Sequence, residues 1–205
     1  MHKAKWLKPA FWLLVLAVFG GPVACAQTDL ALSVYGTFSG TTNNINANVN
    51  NVQDSSSNSA GGMIELRHIR NPLMGYEATY SFNRANQVYD AYCTFCSPVA
   101  VSANAHEITG DWLVSAHVAH LRPFALVGVG LLLTEPTSGQ SSTQGSRTPV
   151  YIYGAGLDWG LGLHLGLRFQ YRGNVNKAPY ITTEFSAPDT FKHTAEPMIG
   201  AYFRF

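Results

Sequence analysis

The most constraining feature of this sequence is the strict alternation of its last eight residues, Met198 to Phe205. Successive side chains of a β-strand point to opposite faces, so one face here is apolar and the other carries an arginine. The apolar face consists of Ile199, Ala201, Phe203 and Phe205. Such a strand fits between lipid and a polar lumen, which predicts a transmembrane β-barrel. An edge strand of a soluble sandwich is the alternative.

The first 26 residues have the organisation of a secretory signal peptide. A start with three lysines precedes an apolar run from Phe11 to Phe19, which is too short to span a bilayer. Cleavage is expected after Ala26, because Ala24 and Ala26 have the small-x-small spacing of a signal peptidase site. Acylation of Cys25, as in a lipoprotein, is the alternative. The predicted domains are a signal peptide, residues 1–26, and a barrel, residues 27–205.

Charge argues against a nucleic-acid partner. Cleavage would remove three of the 13 basic residues and none of the 12 acidic ones, which leaves a net charge of −2. Binding to phosphates requires a basic field that such a chain lacks. With 46% hydrophobic and 12% charged residues, the chain is apolar for a protein that exposes a wholly polar surface. A barrel resolves this, because it turns its apolar residues toward lipid.

Eight strand-like segments with alternating polarity are predicted, an even number, as in single-chain bacterial barrels. They cover residues 29–40, 61–70, 74–85, 103–117, 121–133, 149–160, 163–174 and 193–205. The connections between them alternate between long and short, beginning with the long polar stretch Thr41–Ala60. This order predicts an all-β, eight-stranded antiparallel up-and-down barrel with long loops outside the cell and both termini in the periplasm. The register of the fifth segment is left open, because Arg122–Gly130 is apolar on both faces.

The eight-strand meander, the RPFALVGVG segment at residues 122–130 and the terminal aromatic strand resemble the OmpA/OmpX-like family of small outer-membrane barrels. The segment departs from the family pattern, with Phe124 for tyrosine and Leu126 for the first glycine. The resemblance covers nearly the whole chain after residue 26 and implies location in a Gram-negative outer membrane. It also implies that Phe203 and Phe205 form an insertion signal for the barrel-insertion machinery.

Alternation places five acidic and four basic residues on the inner faces of the strands. They are Glu65, Arg67, Glu77, Glu107, Asp111, Asp158, Arg168, Arg172 and Arg204. An eight-stranded barrel is narrow enough for side chains to fill it, and buried charges must pair. The set therefore predicts a closed, salt-bridged lumen. A narrow or gated ion path is the alternative.

No catalytic residue, metal ligand or cofactor is predicted. Glu107 and Asp111 share a face but lie about 13 Å apart along a strand, too far for an acid–base pair. Ser115 and His117 share a face too, and some barrels of this size modify lipid A, but no third partner or nucleophile elbow accompanies them. The histidines near this strand, which include His106 and His120, do not have the spacing of a zinc site.

Cys93 and Cys96 are the only cysteines left after signal cleavage, and they lie in a predicted surface loop. An even count in an oxidising compartment predicts a disulfide, with unlinked thiols as the alternative. Thiol labelling that occurs without reductant would exclude the disulfide.

The expected function is a structural and surface-interaction role in the outer membrane. Lipid and lipopolysaccharide are the expected surroundings, an extracellular ligand at the four loops is the expected partner, and a monomer is expected because a closed barrel has no free edge. A small porin-like channel is the first alternative, and a lipid A-modifying enzyme is the second.

Overall fold

Most of the described residues belong to β-strands. The computed structural model describes residues 27–44, 52–71, 73–91, 99–137, 143–162, 164–179, 181 and 190–205. Its strands are β1 Gln27–Ser39, β2 Thr42–Asn44, β3 Val52–Ser56, β4 Ser59–Ile69, β5 Met74–Ala91, β6 Val99–Ser115, β7 Leu121–Pro136, β8 Ser146–Gly162, β9 Leu165–Lys177 and β10 Phe191–Arg204. This part of the chain contains no helix long and apolar enough to cross a membrane.

Several predictions lie outside the described residues. These are the cleavage site at Ala24 and Ala26, the lipidation candidate Cys25, and the cysteine pair Cys93 and Cys96. They stay predictions.

Eight of the ten strands close into an antiparallel barrel. β1 and β4 to β10 pair in chain order, and the ring closes between β1 and β10. Leu30 of β1 thus lies opposite Leu66 of β4 on one side and Phe203 of β10 on the other. This confirms the predicted eight-stranded up-and-down barrel.

The two faces of the strands are inverted relative to a water-soluble protein. Large apolar side chains point outward, such as Leu32 with 62% and Trp112 with 70% of its surface exposed. Arg67, Arg168 and Arg172 are fully buried inside. Soluble folds bury the first group and expose the second, whereas a barrel in lipid requires this arrangement. The alternation predicted for the strands is confirmed.

Pairing fixes the register of β7 that its composition left open. Arg122, Phe124 and Leu126 are buried in the lumen, while Val127 and Val129 point outward. The inward position between these valines is Gly128, where an added Cβ would lie 1.9 Å from Oδ1 of Asp111. Glycine here leaves the space that a charged side chain of the neighbouring strand occupies.

The barrel has two different ends. One end, called the turn end, carries the start of β1, the end of β10 and the short connections between strands. There Asn71 Oδ1 accepts hydrogen bonds from the backbone N–H groups of Leu73 at 3.0 Å and Met74 at 2.7 Å. Ala119 in the β6–β7 turn has a φ of 54°, and Gly162 at the end of β8 has a φ of 122°. The opposite end, called the loop end, carries the longer connections.

The prediction that Thr41–Ala60 is entirely a loop is wrong. Its described parts include β2 and β3, which pair with each other, and β3 pairs with β5 from Gln87 to Ala91. β5 and β6 also extend beyond their predicted ends, to Ala91 and from Val99. Where β5 extends past the end of β4, its backbone N–H and C=O groups on that side have no partner in β4. β3 pairs with them, and backbone pairing of this kind is open to a polar segment as well as to an apolar one.

Candidate functional site in the barrel lumen

The structure places all nine predicted charged residues on the inner face of the barrel. Eight are buried, and Arg204 is partly exposed at the turn end. Four further charged residues that were not in the predicted set are buried with them, namely Asp29, Arg122, Lys192 and Glu196. These thirteen side chains fall into two layers, with Lys192 further toward the loop end.

The inner charge layer lies toward the turn end and balances four guanidinium groups against four carboxylates. Its members are Asp29, Glu65, Glu77 and Asp158 with Arg67, Arg122, Arg168 and Arg204. Every carboxylate in the layer has at least one guanidinium within ion-pair distance. Each buried carboxylate is therefore compensated by a guanidinium of the same layer.

Asp158 is the hub of the inner charge layer. Its Oδ2 accepts from Arg67 Nη1 at 3.1 Å and from Arg122 Nη2 at 2.9 Å, and its Oδ1 accepts from Arg168 Nε at 2.8 Å. Arg122 also donates to Asp29, which links β7 to β1 across the lumen. Since these arginines belong to β4, β7 and β9, one carboxylate on β8 ties three other strands together.

Glu65 and Glu77 complete the pairing of the layer. Arg168 Nη1 donates to Glu65 Oε2 at 2.8 Å, and Arg67 Nε donates to Glu77 Oε2 at 2.6 Å. The hydroxyl of Ser33 also donates to Glu65. All four of these charged side chains are fully buried, so solvent does not weaken their interactions.

Aromatic rings support the inner charge layer from both sides. The guanidinium carbon of Arg67 lies 4.0 Å from the centre of the Phe124 ring, a cation–π distance. The guanidinium carbon of Arg168 lies 5.7 Å from the centre of the Phe124 ring and 5.5 Å from the centre of the Tyr202 ring. Gly156 makes room for the Phe124 ring, because an added Cβ would lie 2.4 Å from its Cζ.

The outer charge layer lies toward the loop end and is not balanced in the same way. Arg172 is its only guanidinium, and three carboxylates face it: Glu107, Asp111 and Glu196. Arg172 Nη1 lies 3.4 Å from Asp111 Oδ2, and Nη2 lies 3.5 Å from Glu107 Oε1. Asn174 donates one amide nitrogen both to Glu107 Oε2 at 2.8 Å and to Glu196 Oε1 at 3.0 Å.

A cavity of about 70 Å³ opens beyond the outer charge layer toward the loop end. Hydroxyl and amide side chains form much of its wall, together with Glu107, Glu196 and Lys192. The ammonium of Lys192 donates to Ser56 Oγ and, at 3.4 Å, to Gln87 Oε1. β3 therefore supplies a contact to the lumen wall through Ser56.

A second cavity of about 290 Å³ lies at the turn end. His117, His120 and His164 line it together with Arg122 and Arg204. It shares no lining residue with the cavity at the loop end. The inner charge layer lies between the two.

The residues weighed as catalytic candidates are not joined to one another by hydrogen bonds in the part of the chain that the structure describes. Ser115 Oγ is buried without a hydrogen-bond partner, and no hydrogen bond joins it to His117 in the described part of the chain. Glu107 and Asp111 both face Arg172. His106 lies on the outer face, where its Nδ1 is 2.9 Å from the hydroxyl of Tyr80. No group of three or more His, Cys, Asp or Glu residues that could hold a metal ion occurs among the described residues.

Alternation within the predicted strands could have found two of the four missed residues. Asp29 alternates with Leu30 and Leu32, and Glu196 with Ile199 and Ala201, in the same way as the predicted residues do. Lys192 was missed because β10 begins at Phe191, before its predicted start at residue 193. The signal for Arg122 was absent, because both faces of its strand are apolar and only pairing sets its direction.

Comparison with known proteins gives structural matches alone. No protein-family model matches the sequence, and no curated protein does. Neisserial surface protein A is 13% identical, with a TM-score of 0.55, over 89% of this chain and 100% of its own. Ail, the attachment invasion locus protein of Yersinia pestis, solved with the heparin analogue sucrose octasulfate, is 14% identical with the same TM-score and coverage. OprG from Pseudomonas aeruginosa is 8% identical, with a TM-score of 0.60, over 88% of this chain and 96% of its own.

At these identities the matches bear on the fold. The matched proteins are small outer-membrane barrels, and the similarity extends over nearly the whole of each. The chain therefore has the fold of the small eight-stranded outer-membrane β-barrels, the fold that its resemblance to the OmpA/OmpX-like family predicted.

Proposed function

We propose that this protein is a bacterial outer-membrane barrel whose lumen is closed by the inner charge layer and which acts through the surface at its loop end. The burial of that layer carries the proposal. Arg67 and Arg168 are fully buried, and their guanidinium groups are held by carboxylates on strands across the lumen. A conducting path through this layer would need these ion pairs to separate, and separated buried charges cost several kcal/mol each.

The loop end supports a role in surface interaction. β2, β3 and the extended parts of β5 and β6 continue the sheet beyond the barrel ring. One barrel with the same fold, Ail, was solved with a heparin analogue. By analogy we propose that this chain also presents an extracellular binding surface, with lipid and lipopolysaccharide around the barrel and the C-terminal strand as its contact with the insertion machinery.

Single-channel recording in planar bilayers tests the closed lumen. The folded wild-type protein is expected to be electrically silent over long recordings. Arg168→Gln probes the inner layer, and Arg84→Gln is the matched control, because Arg84 is an exposed arginine on the same barrel. Reproducible steps in the wild type that change in size or selectivity with Arg168→Gln and not with Arg84→Gln would contradict the closed lumen and favour the channel.

Epitope insertion tests the orientation. A tag between Ser57 and Asn58, both exposed at the loop end, is expected to bind antibody on intact cells. A tag after Ala119 in the turn between β6 and β7 is expected to bind only after the outer membrane is permeabilised. The reverse pattern would contradict the proposed topology.

We propose that this protein is not an enzyme. The support is the isolation of Ser115 from His117 described above. A change in the lipid A of cells that produce the protein, lost in Ser115→Ala, would contradict this.

A further inference from the structure

The outer charge layer carries more negative charge than its own cation can balance. Glu107 and Asp111 lie within ion-pair distance of the single guanidinium of Arg172, and Glu196 is paired with Arg172 on the neighbouring strand. Lys192 lies further toward the loop end, where its ammonium donates to Ser56 and Gln87, and it lines the same cavity as Glu107 and Glu196.

Among the described residues, three oxygen atoms in or beside this layer are buried without a hydrogen-bond partner. One is Asp111 Oδ1, and the other two are Glu196 Oε2 and Asn174 Oδ1. Both residues line the cavity at the loop end, and only 5% of Glu196 and 4% of Asn174 is exposed. Buried polar atoms in folded proteins almost always have a partner, so two such atoms on residues that line the same cavity indicate a missing one.

The chemistry of these atoms specifies the partner. Two carboxylates and one amide oxygen form an oxygen-only donor set, which hard cations prefer. Calcium accepts such ligands together with water in a flexible geometry, whereas magnesium requires a near-ideal octahedron. The cavity of about 70 Å³ has room for an ion with bound waters. A divalent ion would also offset the excess of carboxylates over guanidinium groups in the layer.

We propose that the outer charge layer is a calcium site, with Glu107, Glu196 and Asn174 as its protein ligands. The amide nitrogen of Asn174 now bridges the two carboxylates at 2.8 and 3.0 Å. Rotation of that amide by half a turn brings Oδ1 to the place of the nitrogen, between the same two carboxylates. The ion enters from the loop end, through the cavity that these residues line.

This inference goes beyond the closed lumen and does not rest on it. The inner charge layer and the calcium site use different residues, so calcium binding and conductance are measured independently. Failure of one proposal leaves the other standing.

Isothermal titration of the purified, folded protein with calcium, after removal of divalent ions by EDTA, tests the site. The wild type is expected to bind one calcium ion. Glu196→Gln is expected to weaken binding at least tenfold. The matched control is Glu135→Gln, which removes an exposed carboxylate from β7 and is expected to bind as the wild type does. Retained SDS resistance of the unheated protein shows that each variant is folded.

A second variant keeps the test decisive if Glu196→Gln does not fold. Asn174→Asp replaces the amide by a third carboxylate and is expected to bind calcium at least tenfold more tightly. The proposal is overturned if the wild type binds no calcium at millimolar concentration, in which case a proton shared between the carboxylates fills the role. It is equally overturned if Glu196→Gln or Asn174→Asp binds with wild-type affinity.

Discussion

The two charge layers of this lumen use the same residue types and differ in their balance. In the inner layer, four guanidinium groups meet four carboxylates, and Asp158 receives hydrogen bonds from three of the arginines. In the outer layer, one guanidinium meets three carboxylates. Among the described residues, three oxygen atoms in or beside that layer lack a hydrogen-bond partner, against one, Glu77 Oε1, in the inner layer. The difference teaches that burial of charged side chains does not by itself show that a layer closes the lumen. We expect the balanced layer to hold strands together and propose that the unbalanced one binds an ion.

The largest effect is expected from removal of a cation in the balanced layer. Arg168→Met leaves Glu65 and Asp158 buried without this partner, and the free energy of unfolding is expected to fall by about 3–5 kcal/mol. Urea unfolding of the barrel in lipid vesicles measures it. Arg84→Met serves as the control, because Arg84 is exposed. A loss no larger than that of the control would show that the inner layer does not hold the strands.

The same substitution in the two layers is expected to have opposite signs. Glu65→Gln weakens the pairing with Arg168 and is expected to cost about 2–3 kcal/mol. Glu196→Gln, without divalent ions, removes one of the three carboxylates that share the guanidinium of Arg172 and is expected to stabilise by about 1 kcal/mol. Unfolding of both variants in EDTA measures the contrast. Destabilisation of equal size in both would remove the distinction between the layers.

The inner layer is also expected to be breakable through packing alone. Gly156→Ala places a Cβ 2.4 Å from the Phe124 ring, which lies against Arg67, and is expected to cost about 1–3 kcal/mol. Gly110→Ala on the outer face is the control, because nothing lies within 4 Å of its added Cβ. Equal unfolding midpoints for the two alanine variants would exclude a role for the ring in supporting the layer.

The smallest effect is expected at the rim of the inner layer. Arg204 Nε lies 3.5 Å from Asp29 Oδ1, and 29% of the arginine side chain is exposed. Water therefore weakens this ion pair and can solvate Asp29 when the arginine is removed. Arg204→Gln is expected to lower the unfolding free energy by less than about 1 kcal/mol in the same urea assay. A loss as large as that of Arg168→Met would mean that the layer depends on its total charge rather than on its buried pairs.

Much of the fold and part of the site could be predicted. The inward and outward faces of β5, β6, β8 and β9 follow from period-two alternation, because a one-residue slip would turn every charged side chain toward lipid. That constraint also gave the nine lumen residues. It failed at Arg122, whose neighbours are apolar on both faces, and for β2 and β3, whose polar sequence carries no alternating signal.

The sequence by itself determined the even number of barrel strands and which side chains share a face, because alternation is a local property of each strand. Only the tertiary structure decided which charges meet. Asp158 on β8 and Arg67 on β4 are separated by 91 residues, and they come into contact only because the sheet closes on itself with one register. Closure likewise brings Glu107 and Glu196 to the amide nitrogen of Asn174. No spacing within a single strand can specify this arrangement, because the three residues belong to three strands.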